Sequence, residues 1–163
     1  MTQWVVADAS PIISFARADR LELLRDVCPE IYLPPKVFQE VALEEPGRPG
    51  ATVIRDGGWG QLYQAVDQAV VNQLPQSIHA GEREAIALAY QLKLPLLADE
   101  KRVIRAARAL GLEVVTSIRV LVTAKERGLI PSIRPVLDTM RASSFRISDL
   151  LYAEVLRNAG EWP

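Results

Sequence analysis

The chain has 163 residues, 49% hydrophobic and 24% charged, and its 19 basic and 20 acidic side chains leave a formal charge of −1. This balance predicts one ordinary globular domain over residues 1–163 and gives no basic footprint for sequence-independent nucleic-acid binding. A single histidine, His79, and a single cysteine, Cys28, exclude multi-imidazole sites such as HExxH, Cys-based zinc sites and an internal disulfide.

The first element is the apolar run Trp4 to Ala7, which has no period of two and reads as a strand buried on both faces of a parallel sheet. It stops on Asp8, and Ser10 with Pro11 reads as the N-cap and first residue of a helix over 10–17. Asp8 then sits in the strand-to-helix turn, either as a second capping residue or as a group presented at the carboxyl edge of the sheet, where open α/β proteins place their ligands. In DRLELLRDV, Asp19 and Glu22 have the spacing of a capping box. Cys28 in this stretch reads as a small core residue. A short strand follows at Ile31 to Leu33, and Pro34-Pro35 ends it, the second proline opening another helix.

EEPGRPGA reads as a loop, ATVIRDGG as a short helix and WGQLYQAV as an ambiguous strand. From Gly81 the pattern becomes helix, strand LPLLA, helix, strand EVV, with Gly111 where a helix-ending glycine belongs. His79 reads as a polar residue just before the first of these helices. Consecutive βα units of this size predict parallel strands with right-handed crossovers. The tail from Ile118 to Gly160 reads as helical, with breaks at Pro131 and near Ser143-Ser144. No run reaches membrane-spanning length and the amino terminus has no signal-peptide pattern, so a cytoplasmic protein without membrane contact is expected.

Several acids fall where they could meet. Asp8 ends the first strand, and Asp99 with Glu100 ends LPLLA in the same manner, so adjacent strands would bring them to one crevice. Glu40 and either Glu82 or Glu84 add helix-borne candidates. Residues two apart on a helix point about 200° apart, and Ala85, Ile86 and Ala89 mark the buried face, which favours Glu82. Each acid alone also reads as a solvated charge or a cap. Together, several carboxylates without imidazole or thiolate form the oxygen set that suits Mg²⁺ or Mn²⁺, ions that activate water and clamp the oxygens of a phosphodiester.

The order VVADASPII, PPKVFQEV, GEREAIALA, LLADE, RAARALG resembles the PIN-domain family over nearly the whole chain, including the tail FRISDLLYAEVLRNAGE. It is closest in character to a bacterial and archaeal branch formerly of unknown function. The resemblance implies an α/β fold, a three-layer α/β/α sandwich with a parallel central sheet. It further implies a metal-dependent ribonuclease, often the toxin of a VapC-type toxin–antitoxin pair, with RNA as substrate, Mg²⁺ or Mn²⁺ as cofactor, a homodimeric state and an antitoxin partner. Residue by residue, the family's acids fall on Asp8, Glu40, Glu82 and Asp99, and its small hydroxyl neighbour on Ser10. The third acid is often Asp in the family and is Glu82 here, with Glu84 as competitor. The usual T-x-D motif is replaced by ADE, which leaves Asp99 and Glu100 both as candidate metal-facing acids.

Arg102, Arg105 and Arg108 form a helical stripe, readable as a grip on RNA phosphates through Arg102 and Arg105 or as a solvated face paired with Glu100 and Glu113. Trp4, Trp59 and Trp162 are too scattered for a base-stacking platform. Two other function classes compete with the nuclease. An inactive PIN-like module binding RNA or protein would lack one of the acids, and none is plainly lost. A magnesium-dependent phosphate-transfer hydrolase of the haloacid-dehalogenase kind would want a second Asp two residues after the first, where this chain has Ser10.

Overall fold

The computed structural model describes residues 3–163. Five short strands form one parallel sheet in the order β3-β2-β1-β4-β5. They are β1 (Val5–Ala7), β2 (Ile31–Leu33), β3 (Gln61–Leu62), β4 (Leu96–Leu97) and β5 (Val114–Val115). Val5, Val6 and Ala7 are all buried, as are Leu96 and Leu97, which is why these strands read as continuous apolar runs: a central parallel strand has no wet face. Each fully buried Val or Leu contributes roughly 1.5–3 kcal/mol, so the middle of the sheet is its most strongly held part.

Two groups of helices flank the sheet. One group comprises α1 (Ala9–Arg17), packed on α2 (Leu21–Val27) and α9 (Arg134–Ser143), with α8 (Ser117–Glu126) against α2. In the other, α6 (Ala80–Leu92) packs on α3 (Pro35–Phe38), α5 (Gln68–Gln73) and α7 (Lys101–Ala109). Helix α4 (Ala51–Arg55) lies against a π-helical segment, Gln39–Leu43, that continues α3. That segment also touches α1, so it bridges the two groups. Helix α10 (Asp149–Asn158) completes the chain. The α/β class, the parallel sheet, Pro35 near the start of α3 and Gly111 with φ 79° just beyond α7 all follow the expected pattern.

Local expectations fail at two helix starts. Helix α1 begins at Ala9, and its cap is Asp8, whose side chain accepts from the Ala9 N–H; Ser10 is already helical. The predicted capping box of Asp19 and Glu22 does not form. Asp19 adopts φ 56°, Arg20 takes the cap position, and the Arg20 guanidinium donates to Glu22 at 2.9 Å. Helix α5 has no clear signal in the sequence, because only Val71 of its six residues is buried.

The carboxyl-terminal region is tied down by one residue. Both carboxylate oxygens of Glu161 accept from the start of α9, Oε2 from the Ile133 N–H at 2.8 Å and Oε1 from the Arg134 N–H at 2.9 Å. Lys125 of α8 adds an ion pair at 2.9 Å. A helix whose own sequence offers no capping side chain thus borrows one from the far end of the chain. Trp162 packs beneath the guanidinium groups of Arg134 and Arg157, and Trp59 is core, donating its indole N–H to the Cys28 carbonyl.

Candidate active site

In this strand order the direction of winding reverses at β1, between its neighbours β2 and β4. A crevice opens at such a point outside the carboxyl ends of the strands. Strands β1 and β4 are hydrogen-bonded neighbours, with Val6 opposite Leu96 and Ala7 opposite Leu97, and the Asp8 N–H extends the ladder to the Leu97 carbonyl at 2.9 Å. The acids that follow the two strands, Asp8 and Asp99, therefore lie at one mouth. There they line a cleft of about 810 Å³ together with Ser10, Glu40, Glu82, Glu100 and Arg102.

Asp8 is 3% exposed. Its Oδ1 accepts from the Ala9 N–H at 2.9 Å, while its Oδ2 is buried without a hydrogen-bond partner among the described residues. Burial pushes its carboxyl up from 3.8 to about 7; the Ala9 hydrogen bond opposes this, and the negative charges of Glu82, Glu40 and Asp99 reinforce it. All four acids line the same cleft. Glu40 comes from the π-helical segment, a local widening of the helix often found at functional sites. Its carboxyl is also raised, by burial and then by the charge of Glu44, with Arg48 opposing.

Glu82 stands in the first turn of α6 and its Oε1 accepts from the His79 N–H at 3.0 Å. Arg102 approaches the same oxygen at 4.0 Å and donates to the Ser77 carbonyl. Asp99 is clamped by the start of α8, Oδ1 accepting from the Ser117 N–H at 2.8 Å and Oδ2 from its hydroxyl at 2.5 Å. Burial raises its carboxyl and the two Ser117 bonds pull it back. Glu100 takes the N-cap position of α7 without a side-chain capping bond and is exposed at the rim.

The alternatives left open by spacing separate here. Glu84 is as buried as Glu82 but faces elsewhere, its Oε1 accepting from the Lys36 N–H in the first turn of α3 at 2.9 Å. Glu84→Ala is expected to cost about 1–3 kcal/mol, the penalty for stranding a partly buried donor. Denaturant melts measure this, and any nucleolytic activity per folded molecule should survive. Arg102 lines the cleft and Arg105 does not. Among the described residues no ion pair joins Arg105 or Arg108 to Glu100 or Glu113; Arg102 pairs instead with Glu82.

Sequence reasoning did not find Arg17, Ser14, Ser117, Lys101, Ser144 or Arg146, of which all but Ser117 line the cleft. Ser10, Ser14 and Arg17 were readable as a polar stripe at i, i+4, i+7 of an otherwise apolar helix, and Thr116-Ser117 as a helix start after β5. Ser144 and Arg146 carry no local signal. Among the described residues, no three of His, Cys, Asp and Glu stand close enough to form a ready metal cage.

A parallel α/β sandwich with carboxylates gathered at the reversal point defines the class of protein. A family model described as PIN domain (DUF3368) matches residues 4–161, and the chain belongs to this family, a nuclease fold. No curated protein matches the chain significantly.

Proposed function

We propose that the protein is a divalent-metal-dependent ribonuclease hydrolysing RNA phosphodiester bonds, and the toxin of a toxin–antitoxin pair. The observation that carries the reading is Asp8 Oδ2, a buried carboxylate oxygen with no hydrogen-bond partner among the described residues, in a cleft that Glu40, Glu82 and Asp99 also line. The cap uses only Oδ1, and a buried polar atom left without a partner is uncommon and calls for an ion or water to complete it. The donors are all oxygens, which suits Mg²⁺ or Mn²⁺, and Mg²⁺ is held by only one or two carboxylates with the rest water. A site without a tight trio of acids is compatible with that habit. Asp8, Glu40, Glu82 and Asp99 would hold the ion, one or two of them directly and the others through its waters, and when bound it would supply an activated water and charge at the scissile phosphate. The chain's own share is positional: Ala9, His79 and Ser117 each fix one carboxylate by hydrogen bonds.

Purified protein with single-stranded RNA is expected to cleave in Mg²⁺ or Mn²⁺ and fall silent in EDTA. Absence of cleavage with either ion would overturn the reading. It would favour an RNA- or protein-binding module of the same fold without catalysis.

A homodimer is part of the proposal. Leu150 is 77% exposed, and Leu129, Leu151 and Trp162 are also large exposed apolar groups. Sedimentation at micromolar concentration should give the mass of two chains, and a monomer there would argue against it. An antitoxin partner is tested by coexpressing the neighbouring gene, whose product should relieve growth arrest caused by this chain.

A further inference from the structure

The cations of the cleft are of two kinds. Arg48 and Arg102 are engaged, Arg48 with Glu45 and the Glu40 carbonyl, Arg102 with Glu82 and the Ser77 carbonyl. Arg17, Arg146 and Lys101 line the same cleft, are exposed, and make no ion pair or hydrogen bond through their charged groups among the described residues; Lys101 opens α7, and the two arginines stand on the opposite wall, on α1 and the α9–α10 connection. Their positions are built. Arg17 ends the helix that Asp8 caps, on the face that also carries Ser10 and Ser14. Arg146 belongs to the connection between α9 and α10, and α9 packs on α1. Phe145, 8% exposed, anchors that connection in the core.

Beside it, Ser144 Oγ is buried at the cleft wall without a hydrogen-bond partner among the described residues. A buried hydroxyl left unpaired is uncommon and calls for a ligand or water to complete it. A polyanion drawn to a cleft whose centre holds four carboxylates needs positive charge beside them, and a guanidinium with free N–H groups matches a phosphate in shape.

We propose that Arg17 and Arg146, with the hydroxyls of Ser14 and Ser144, form a seat for the sugar-phosphate backbone of single-stranded RNA next to the carboxylates. The strand is then held between α1 and the α9–α10 connection. This inference rests on the ribonuclease reading and adds the residues that position its substrate.

The test uses the Asp8→Asn protein, so that bound RNA is not consumed, and a fluorescein-labelled single-stranded RNA of mixed sequence, with binding followed by anisotropy across a series of NaCl concentrations at fixed Mg²⁺. Adding Arg17→Gln and Arg146→Gln is expected to raise Kd about tenfold or more. The slope of log K against log salt should flatten by about 1.4, or 0.7 for each of two single-strand phosphate contacts. Arg17→Lys with Arg146→Lys should keep the slope, which a merely structural role for the arginines would not predict. Arg25→Gln with Arg55→Gln removes the same charge away from the cleft and should change neither quantity.

Unchanged Kd and slope in the Arg17→Gln, Arg146→Gln protein, while its Asp8→Asn parent binds RNA, would overturn the seat and leave the ribonuclease reading standing. Equal losses from the Arg25, Arg55 pair would also overturn it, because binding would then follow total charge. A parent that does not bind RNA would overturn both.

Discussion

Asp8→Asn is expected to lower Mg²⁺- or Mn²⁺-dependent RNA cleavage by at least about a hundredfold, at the top of or beyond the 10–100-fold typical of losing a mere outer partner of a metal ligand. The substitution keeps the side chain's shape. Asn caps a helix as well as Asp, and its carbonyl can accept from the Ala9 N–H as Asp8 Oδ1 does. What disappears is the charge at the atom that has no hydrogen-bond partner among the described residues. Single-turnover cleavage by folded mutant protein, checked by circular dichroism, measures the effect. Native-like rates would remove Asp8 from the chemistry and reduce it to the cap of α1.

The second large effect is thermodynamic and needs no substrate. Asp8 binds a proton more tightly in the native state, where its pKa is about 7 against an ordinary 3.8, so the unfolded state releases that proton first as pH rises. The contribution to stability is therefore complete below pH 3.8 and lost as pH climbs to about 7. Its ceiling is about 4 kcal/mol, at about 1.4 kcal/mol for each pH unit between the two values. Glu40 and Asp99, also raised, act with the same sign. Glu161, lowered by the α9 N–H groups and Lys125 against the opposing effect of burial, acts with the opposite sign in acid.

Melts in EDTA between about pH 5 and pH 8 should show the native protein losing stability with rising pH and Asp8→Asn losing less. At neutral pH the metal-free mutant should be at least as stable as the native chain. Mn²⁺ at a hundred times its dissociation constant should restore roughly 2.7 kcal/mol to the native protein, and less to the mutant. Parallel pH curves and equal metal shifts would mean that these carboxylates are structural.

What the sequence made legible is what short-range physics controls. The β1 run is uninterrupted because that strand has no solvent face, and it ends on Asp8 because the ladder continues only as far as that residue's N–H. The choice of cap was not legible. Ser10 and Asp8 are both good N-caps, and α1 starts at Ala9, immediately after the strand, which gives the cap to Asp8. Asp19 and Glu22 match a capping box in spacing, yet the turn after α1 puts Asp19 at positive φ and gives Glu22 to Arg20.

Within the site, periodicity favoured Glu82 over Glu84 as the acid on the buried side of α6, yet both are buried, and what distinguishes them in the structure is that Glu84 accepts from the Lys36 N–H of α3. Arg146 and Ser144 were invisible because only the packing of α9 on α1 brings them to the cleft. The stripe at Arg102 and Arg105 was visible but incomplete, since the rotation of α7 puts one of the two at the cleft and the other outside it.

The position of β1 at the centre of the sheet, already described as what places Asp8, also governs how the protein reaches its native state. One edge of β1 pairs with β2 and the other with β4, which arrives only after most of the intervening chain has been laid down. Closing that second pairing costs loop entropy before it returns any contact energy. The Asp8 and Asp99 carboxylates are therefore brought together by the most nonlocal strand pairing in the fold. A partly folded chain holding only β1 to β3 has the first carboxylate and no crevice. The cleft is in this sense a late product of folding, and the amide of Asp8, bonded to Leu97, belongs among those released from exchange protection only when the sheet as a whole opens.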